Sequence, residues 1–167
     1  KLAVFDFGGG TLDIAVLTAT ATGSFEVVAA RGDNSLGGKN FDARIHRWVE
    51  TALVDDGAGP DVLRRAPVHL QRTLDEQIRR AKEQLSESPS ATVTVDTGEH
   101  RRTFTLTRSE YERLIADDVN RAADLARATF VAAGAQPGSL AALYLTGGSA
   151  RTPLVHTRIG QLGPIAT

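Results

Sequence analysis

The sequence has no cysteine and no methionine, and its only lysines are Lys1, Lys39 and Lys82. Without cysteine there are no disulfides and no thiolate metal sites. The four histidines, His46, His69, His100 and His156, are scattered and have no ligand spacing, so they read as surface residues. A translated chain starts with methionine, whereas this one opens directly on an apolar, strand-like run, so it is expected to be a piece of a longer protein. No apolar stretch reaches the roughly 18 residues of a membrane span, and no signal peptide is visible. The expectation is a cytoplasmic chain with no membrane partner. The formal net charge is -1, which gives no electrostatic reason to expect nucleic acid or an acidic membrane surface. Repeats, coiled-coil heptads and low-complexity segments are also missing. The 167 residues suffice for one domain or two small lobes.

The most informative stretch is Asp6-Phe7-Gly8-Gly9-Gly10-Thr11-Leu12-Asp13. The apolar run from Leu2 to Phe5 ends on an acid. Three glycines, a hydroxyl and a second acid follow, and the apolar pattern resumes at Ile14. Two β-rich runs joined by glycines read as a hairpin. Glycines can adopt positive φ and let backbone N–H groups approach a ligand closely. A concavity of N–H groups favours an anion, usually phosphate. The carboxylates repel phosphate unless a hydrated Mg2+ lies between them. Period-two alternation puts Thr11 and Asp13 on one face of the second strand, with Leu12 and Ile14 on the other. Taken alone, a triple glycine reads as a tight turn with solubilising acids; the downstream motifs change that reading.

Phe25 to Ala30 reads as a third strand of an antiparallel meander. The polar stretch Gly32 to Asp42 leads into a helix whose face carries Phe41, Ile45, Trp48, Val49, Ala52 and Leu53. Gly37-Gly38 therefore precedes a helix N-terminus, where free N–H groups and the dipole favour anions. Asp55 to Pro60 is a turn cluster, and Pro67 opens the next helix near N1. That helix buries Leu70, Leu74, Ile78, Ala81 and Leu85, while Arg79, Lys82, Glu83 and Ser86 share a different face. Ala91 to Asp96 and Arg102 to Leu106 alternate as strands around a turn. Thr107-Arg108-Ser109-Glu110 is a capping box for a long helix that ends at Gly134. Pro137-Gly138 turns the chain, and Leu140 to Leu145 is a buried-type strand. It runs into Thr146-Gly147-Gly148-Ser149-Ala150-Arg151, with Pro153 at N1 of a last helix. Strand, glycine turn and helix start again form a crevice at a strand's carboxyl end. The expected class is mixed α/β. Residues 1-55 and 107-167 form the core, and 56-106 form an inserted helix-plus-hairpin subdomain.

The order Asp-x-Gly-Gly-Gly-Thr-x-Asp, Gly-Asp-x-x-Leu-Gly-Gly-x-x-Phe-Asp, Ala-Lys-x-x-Leu-Ser and Leu-Thr-Gly-Gly-Ser-x-Arg-x-Pro resembles the seventy-kilodalton heat-shock chaperones of the DnaK type. The resemblance runs from Lys1 to about Leu162. It implies the C-terminal lobe, subdomains IIA and IIB, of an actin-like ATPase domain with an RNase H-like core and a small α+β insert. The implied cofactors are ATP or ADP and Mg2+. Gly8, Gly9 and Gly10 would form the second phosphate loop. Asp6 and Asp13 would act through hydrated Mg2+ and the attacking water, with the Thr11 hydroxyl near the terminal phosphate. Gly37 and Gly38 would line the nucleotide near its ribose and phosphates, and Lys82 and Ser86 would touch the adenosine. Gly147, Gly148 and Ser149 would form the adenosine loop, with Arg151 stacked on the adenine. Phosphoryl transfer to water needs positioning and charge stabilisation more than covalent help, which suits such a set. No Walker A sequence is present, so a P-loop mechanism is excluded.

The sequence departs from the family pattern around the nucleoside. Arg79 stands where a Glu commonly meets the ribose hydroxyls, and Lys39 where another acid is usual. Glu83 replaces a basic or apolar residue, and the hairpin from Ala91 to Leu106 is short. These changes imply weakened or altered nucleotide affinity. The family's first phosphate loop belongs to the other, N-terminal ATPase lobe, upstream of Lys1, and the segment closing the adenine site would follow the last helix. The missing lobe is thus an implied partner, and this piece alone is expected to hydrolyse little or no ATP. A nucleotide-exchange factor and a co-chaperone are further implied partners. The alternatives are a pseudo-ATPase or partner-docking module of the same fold, or another actin-fold protein such as a sugar or acyl kinase or a filament former.

Overall fold

The computed structural model describes residues 1–136 and 138–166, so Pro137 of the expected Pro137-Gly138 turn lies outside the described residues. Contacts divide the chain into two units, one built from Lys1–Asn40 together with the chain from Ala116 onward, the other from Phe41–Ile115.

The first unit is built on a four-stranded sheet. β1 (Leu2–Phe7), β2 (Leu12–Ala19) and β3 (Phe25–Asp33) form the expected antiparallel meander. β6 (Ala142–Thr146) lies parallel to β1, giving the order β3-β2-β1-β6. Alternation fixes the register: Ala3, Phe5, Phe7, Leu12, Ile14 and Val16 are all buried, whereas Asp6 and Asp13 on the opposite pleat are exposed. A bulge between Val16 and Leu17 interrupts the pairing of β2 with β3. The Phe5 and Phe7 rings meet edge to face at 5.7 Å. The unit also contains the end of α4 (Arg108–Ala132) and all of α5 (Pro153–Gly160). α4 stops where Gly134 takes φ +62, a left-handed value suited to a residue without Cβ. Pro153 occupies the first turn of α5 as expected, after a short 3₁₀ turn at Ser149–Arg151 that the sequence pattern had not indicated.

The second unit holds most of α1 (Gly38–Asp55), the short α2 (Val62–Arg65), α3 (Val68–Leu85) and the hairpin of β4 (Ser90–Asp96) and β5 (Arg101–Thr107). α2 is too short to leave a periodic signal and was not expected. Pro67 stands at the N-cap of α3, one residue before the expected N1, because its ψ of 141° is still extended. Leu74, Ile78, Ala81 and Leu85 are buried, and α3 packs against β4, whose Ala91, Val93 and Val95 alternate inward. The capping box of α4 is complete. Thr107 N–H and Oγ1 both donate to Glu110 Oε2, at 3.1 and 2.6 Å, and Glu110 N–H returns to Thr107 Oγ1 at 3.2 Å. Those bonds to Thr107 hold the Glu110 carboxyl below the ordinary carboxylate range. No described helix is long and apolar enough to cross a membrane.

Candidate functional site

Asp6 and Asp13 are direct partners in the β1–β2 register, so their side chains stand on the same open face of the sheet. Like charges opposite each other destabilise a hairpin, and a cation between them removes that penalty. The turn joining the strands is closed by the Gly8 N–H donating to the Thr11 carbonyl at 2.9 Å. Thr11 therefore belongs to the turn rather than to the second strand, which begins at Leu12.

The turn corrects one expectation. Gly8, Gly9 and Gly10 do not have positive φ. The chain's own conformation does not demand glycine there, and a Cβ on Gly9 or Gly10 would meet nothing within 4 Å. The N–H groups of Gly9, Gly10 and Thr11 donate to no acceptor among the described residues. Glycine here leaves open space at positions 9 and 10 next to donors that the described residues do not use, a composition that suits an anion.

The start of α1 corrects another. Its N–H groups are not available to an anion, because the chain itself uses them. Gly37 N–H donates to Asn40 Oδ1 at 2.8 Å, Gly38 N–H to the Gly8 carbonyl at 3.0 Å, and Lys39 N–H to the Gly9 carbonyl at 2.8 Å. Gly37 and Gly38 are buried behind the turn and hold it from the rear. A Cβ at Gly37 would lie 2.7 Å from the Gly10 backbone, so glycine is needed for the close approach. Asn40, three residues after the cap, was given no role in the sequence reading; the spacing Gly37-x-x-Asn40 is the returning half of a capping box.

The third glycine motif closes the same corner. Gly147 takes φ +88, and a Cβ there would run into the Phe7 carbonyl and lie 2.8 Å from Asp6 Oδ1. Ser149 is buried, and its hydroxyl donates to the Gly8 carbonyl at 2.9 Å. Gly147, Gly148, Arg151, His156 and Ile165 line an open depression of about 510 Å³. A second open depression of about 500 Å³ is lined by Asp6, Asp13, Ala15, Ala30, Arg31 and Gly32. Asp33, at the end of β3, accepts from Ser35 Oγ at 2.6 Å and Ser35 N–H at 2.8 Å, and Arg121 lies 3.0 Å away. These partners, Ser35 first, hold the Asp33 carboxyl below its ordinary range and pin the loop that enters α1.

One unit thus brings together Asp6, Gly8, Gly9, Gly10, Thr11, Asp13, Gly37, Gly38, Gly147, Gly148, Ser149 and Arg151. Lys82 and Ser86 belong to the other unit. There the Lys82 ammonium pairs with Asp42 Oδ1 at 2.8 Å, and Ser86 forms the C-cap of α3. Arg79 and Glu83 pair at 3.3 Å, as their i,i+4 spacing implies. Among the described residues no three or more His, Asp or Glu converge as a metal cage. The opposed carboxylates fit an oxygen-seeking cation that keeps most of its waters, which is the habit of Mg2+.

An antiparallel meander extended by a parallel strand, with glycine turns at one corner, defines a mixed α/β RNase H-like core of the actin-like ATPase class with a small α+β insert. The chain belongs to the Hsp70 family: the family model described as "Hsp70 protein" matches residues 1–163. Among curated relatives, it is 35% identical to a Chaperone protein HscA homolog of Bordetella petrii, the match covering 96% of this chain and 24% of that protein. It is 37% identical to a Chaperone protein DnaK of Trichormus variabilis, with the same two shares of 96% and 24%. A Chaperone protein dnaK3 of Synechococcus elongatus is 39% identical, over 96% of this chain and 22% of that protein. The chain thus spans about a quarter of the length of the relatives it matches.

Proposed function

We propose that the chain is the C-terminal lobe, subdomains IIA and IIB, of the actin-like ATPase domain of an Hsp70-type chaperone. On this reading the intact protein binds ATP with Mg2+ and hydrolyses it to drive cycles of protein folding. Residues 1-55 and 107-167 serve as the core lobe and 56-106 as the inserted subdomain. The carrying observation is the turn itself: N–H donors at Gly9, Gly10 and Thr11 that the described residues leave unused cap a hairpin whose facing strands carry two opposed carboxylates, Asp6 and Asp13.

Each residue then has a task. The N–H groups of the turn hold phosphate oxygens, and Thr11 adds a hydroxyl beside them. Asp6 and Asp13 orient waters on the open face of the sheet, and either carboxylate can accept a hydrogen bond from the water that attacks phosphorus. Mg2+, when bound, supplies neutralisation of phosphate charge. Gly37 and Gly38 keep the turn in place from behind. Gly147, Gly148 and Arg151 take the nucleoside in their depression, and Ser149 joins that loop to the turn. Lys82 and Ser86 contribute to the nucleoside from the insert. The other ATPase lobe, a nucleotide-exchange factor and a co-chaperone are the proposed partners, and the cytoplasm the proposed setting.

Calorimetric titration of Mg-ATP and ADP into the intact protein and into this chain tests the reading. Binding by the intact protein, little by the chain alone, and loss of turnover in Asp6→Asn, Thr11→Ala and Asp13→Asn are the expected results. A protein that binds nucleotide in neither form would sink the reading.

A second reading rests on α3. Arg79 and Glu83 spend their charges on each other, and Lys82 is engaged by Asp42. A nucleoside must compete with these pairs, which favours a divergent member with weakened nucleotide affinity, at the limit a pseudo-ATPase or docking module. An affinity equal to that of the DnaK relatives, measured side by side, would remove this reading.

A further inference from the structure

The two opposed carboxylates are flanked by two glycines. Asp6 Oδ1 stands 2.8 Å from the position a Cβ would take on Gly147, after β6, and Asp13 Oδ1 stands 2.8 Å from the corresponding position on Gly32, in β3. β6 and β3 are the outer neighbours of β1 and β2 in the sheet. The pair is thus splayed, each acid set over a bare backbone on the far side of its partner, as repulsion between like charges favours. The glycines differ in what they require. Gly147 has φ +88 and would also meet the Phe7 backbone, so its conformation alone excludes a side chain. Gly32 has no positive φ and lies in ordinary strand pairing opposite Asp13. Apart from the Leu12 carbonyl at 3.2 Å, what a Cβ would meet there is the Asp13 carboxylate.

We infer that Gly32 is a positioning residue for Asp13, its missing side chain giving the carboxylate the room to stand clear of Asp6. This rests on the ATP-hydrolysing function proposed above. A methyl group at position 32 chiefly displaces a side-chain tip that can swing and asks a few tenths of an ångström of the Leu12 carbonyl, so the fold survives while the carboxylate is pushed back towards Asp6. Positioning errors of this kind lower the chemical step far more than binding, commonly by about tenfold or more.

The test compares wild type, Gly32→Ala and Asp13→Asn in the intact protein. Three quantities are read: single-turnover hydrolysis of Mg-ATP, affinity for ATP, and the carboxyl 13C shifts of Asp13 and Asp6 without nucleotide. Expected for Gly32→Ala are hydrolysis slowed by about tenfold, affinity nearly unchanged, a thermal midpoint unchanged or raised, and an Asp13 signal displaced from its wild-type position. The inference is overturned if the variant turns over like wild type with an unmoved Asp13 signal. It is also overturned if Gly32→Ala fails to fold, since the backbone would then be what the methyl group meets. If wild type itself hydrolyses no ATP, the proposed function fails, and the nucleotide-free Asp13 signal still decides whether Gly32 positions the carboxylate.

Discussion

The Ser149 hydroxyl and the Gly38 N–H donate to the same oxygen, the carbonyl of Gly8, at 2.9 and 3.0 Å. One acceptor therefore joins all three glycine motifs. Ser149→Ala removes one donor but leaves the carbonyl with the other, so the loss is that of a single hydrogen bond, about 1 kcal/mol. Urea unfolding should show this as a lower midpoint with an unchanged slope. Thr at 149 retains a hydroxyl and should recover part of the loss.

Gly147→Ala should be much more damaging. It forces a Cβ into the left-handed region and against the Phe7 backbone. The expected destabilisation is about 3 kcal/mol, readable by thermal unfolding. A variant as stable as wild type would mean that the turn has another accessible conformation.

The capping box gives a pH dependence. The Glu110 carboxyl lies below its ordinary range, first because of the Thr107 hydroxyl and then its N–H. The unfolded chain therefore binds the proton more readily than the folded one. The stabilisation is complete above the ordinary carboxylate range and is lost as pH falls through the lowered folded value. Thr107→Ala should destabilise by about 1 kcal/mol at neutral pH, and the difference from wild type should shrink in acid. A difference constant with pH would contradict the assignment.

Arg79→Glu tests the second reading of α3. The Arg79–Glu83 pair is largely exposed, so breaking it should shift stability by only about 0.5 kcal/mol. If an acid at this position meets the ribose hydroxyls, as the family resemblance implies, ATP affinity should rise by about tenfold, the worth of one charged hydrogen bond. Calorimetry on the intact protein measures both stability and affinity.

Much of the fold is legible because the signals are local. The alternation through Leu2, Val4 and the buried Ala3 and Phe5, the stripe from Leu74 to Leu85 and the Thr107–Glu110 box each specify their element within a few residues. The parallel pairing of β1 with β6 has no such signal, because Leu2 and Ala142 meet only in three dimensions. At the site, residue types were readable and backbone commitments were not. Gly37-Gly38 reads as an open helix start, yet the carbonyls of Gly8 and Gly9 take up its donors. The triple glycine suggests positive φ, yet none of the three has it, and a Cβ on Gly9 or Gly10 would meet only open space. Gly32 opens the second glycine motif, but nothing in the sequence gives it a role, since its meaning lies in a neighbour on another strand.

The pairing of β1 with β6 also sets the order in which the site can be completed on the ribosome. β1, β2 and β3 are adjacent in sequence and can pair as soon as they emerge. The fourth strand is made only after the whole of α4 has been synthesised, and Ser149 and Gly147 follow it. Until then the Gly8 carbonyl lacks one donor and Asp6 lacks its outer neighbour. The corner shared by Gly8, Gly38 and Ser149 therefore stays incomplete while the elements from α1 to β6 are being made, and it becomes whole by closure over a very long loop.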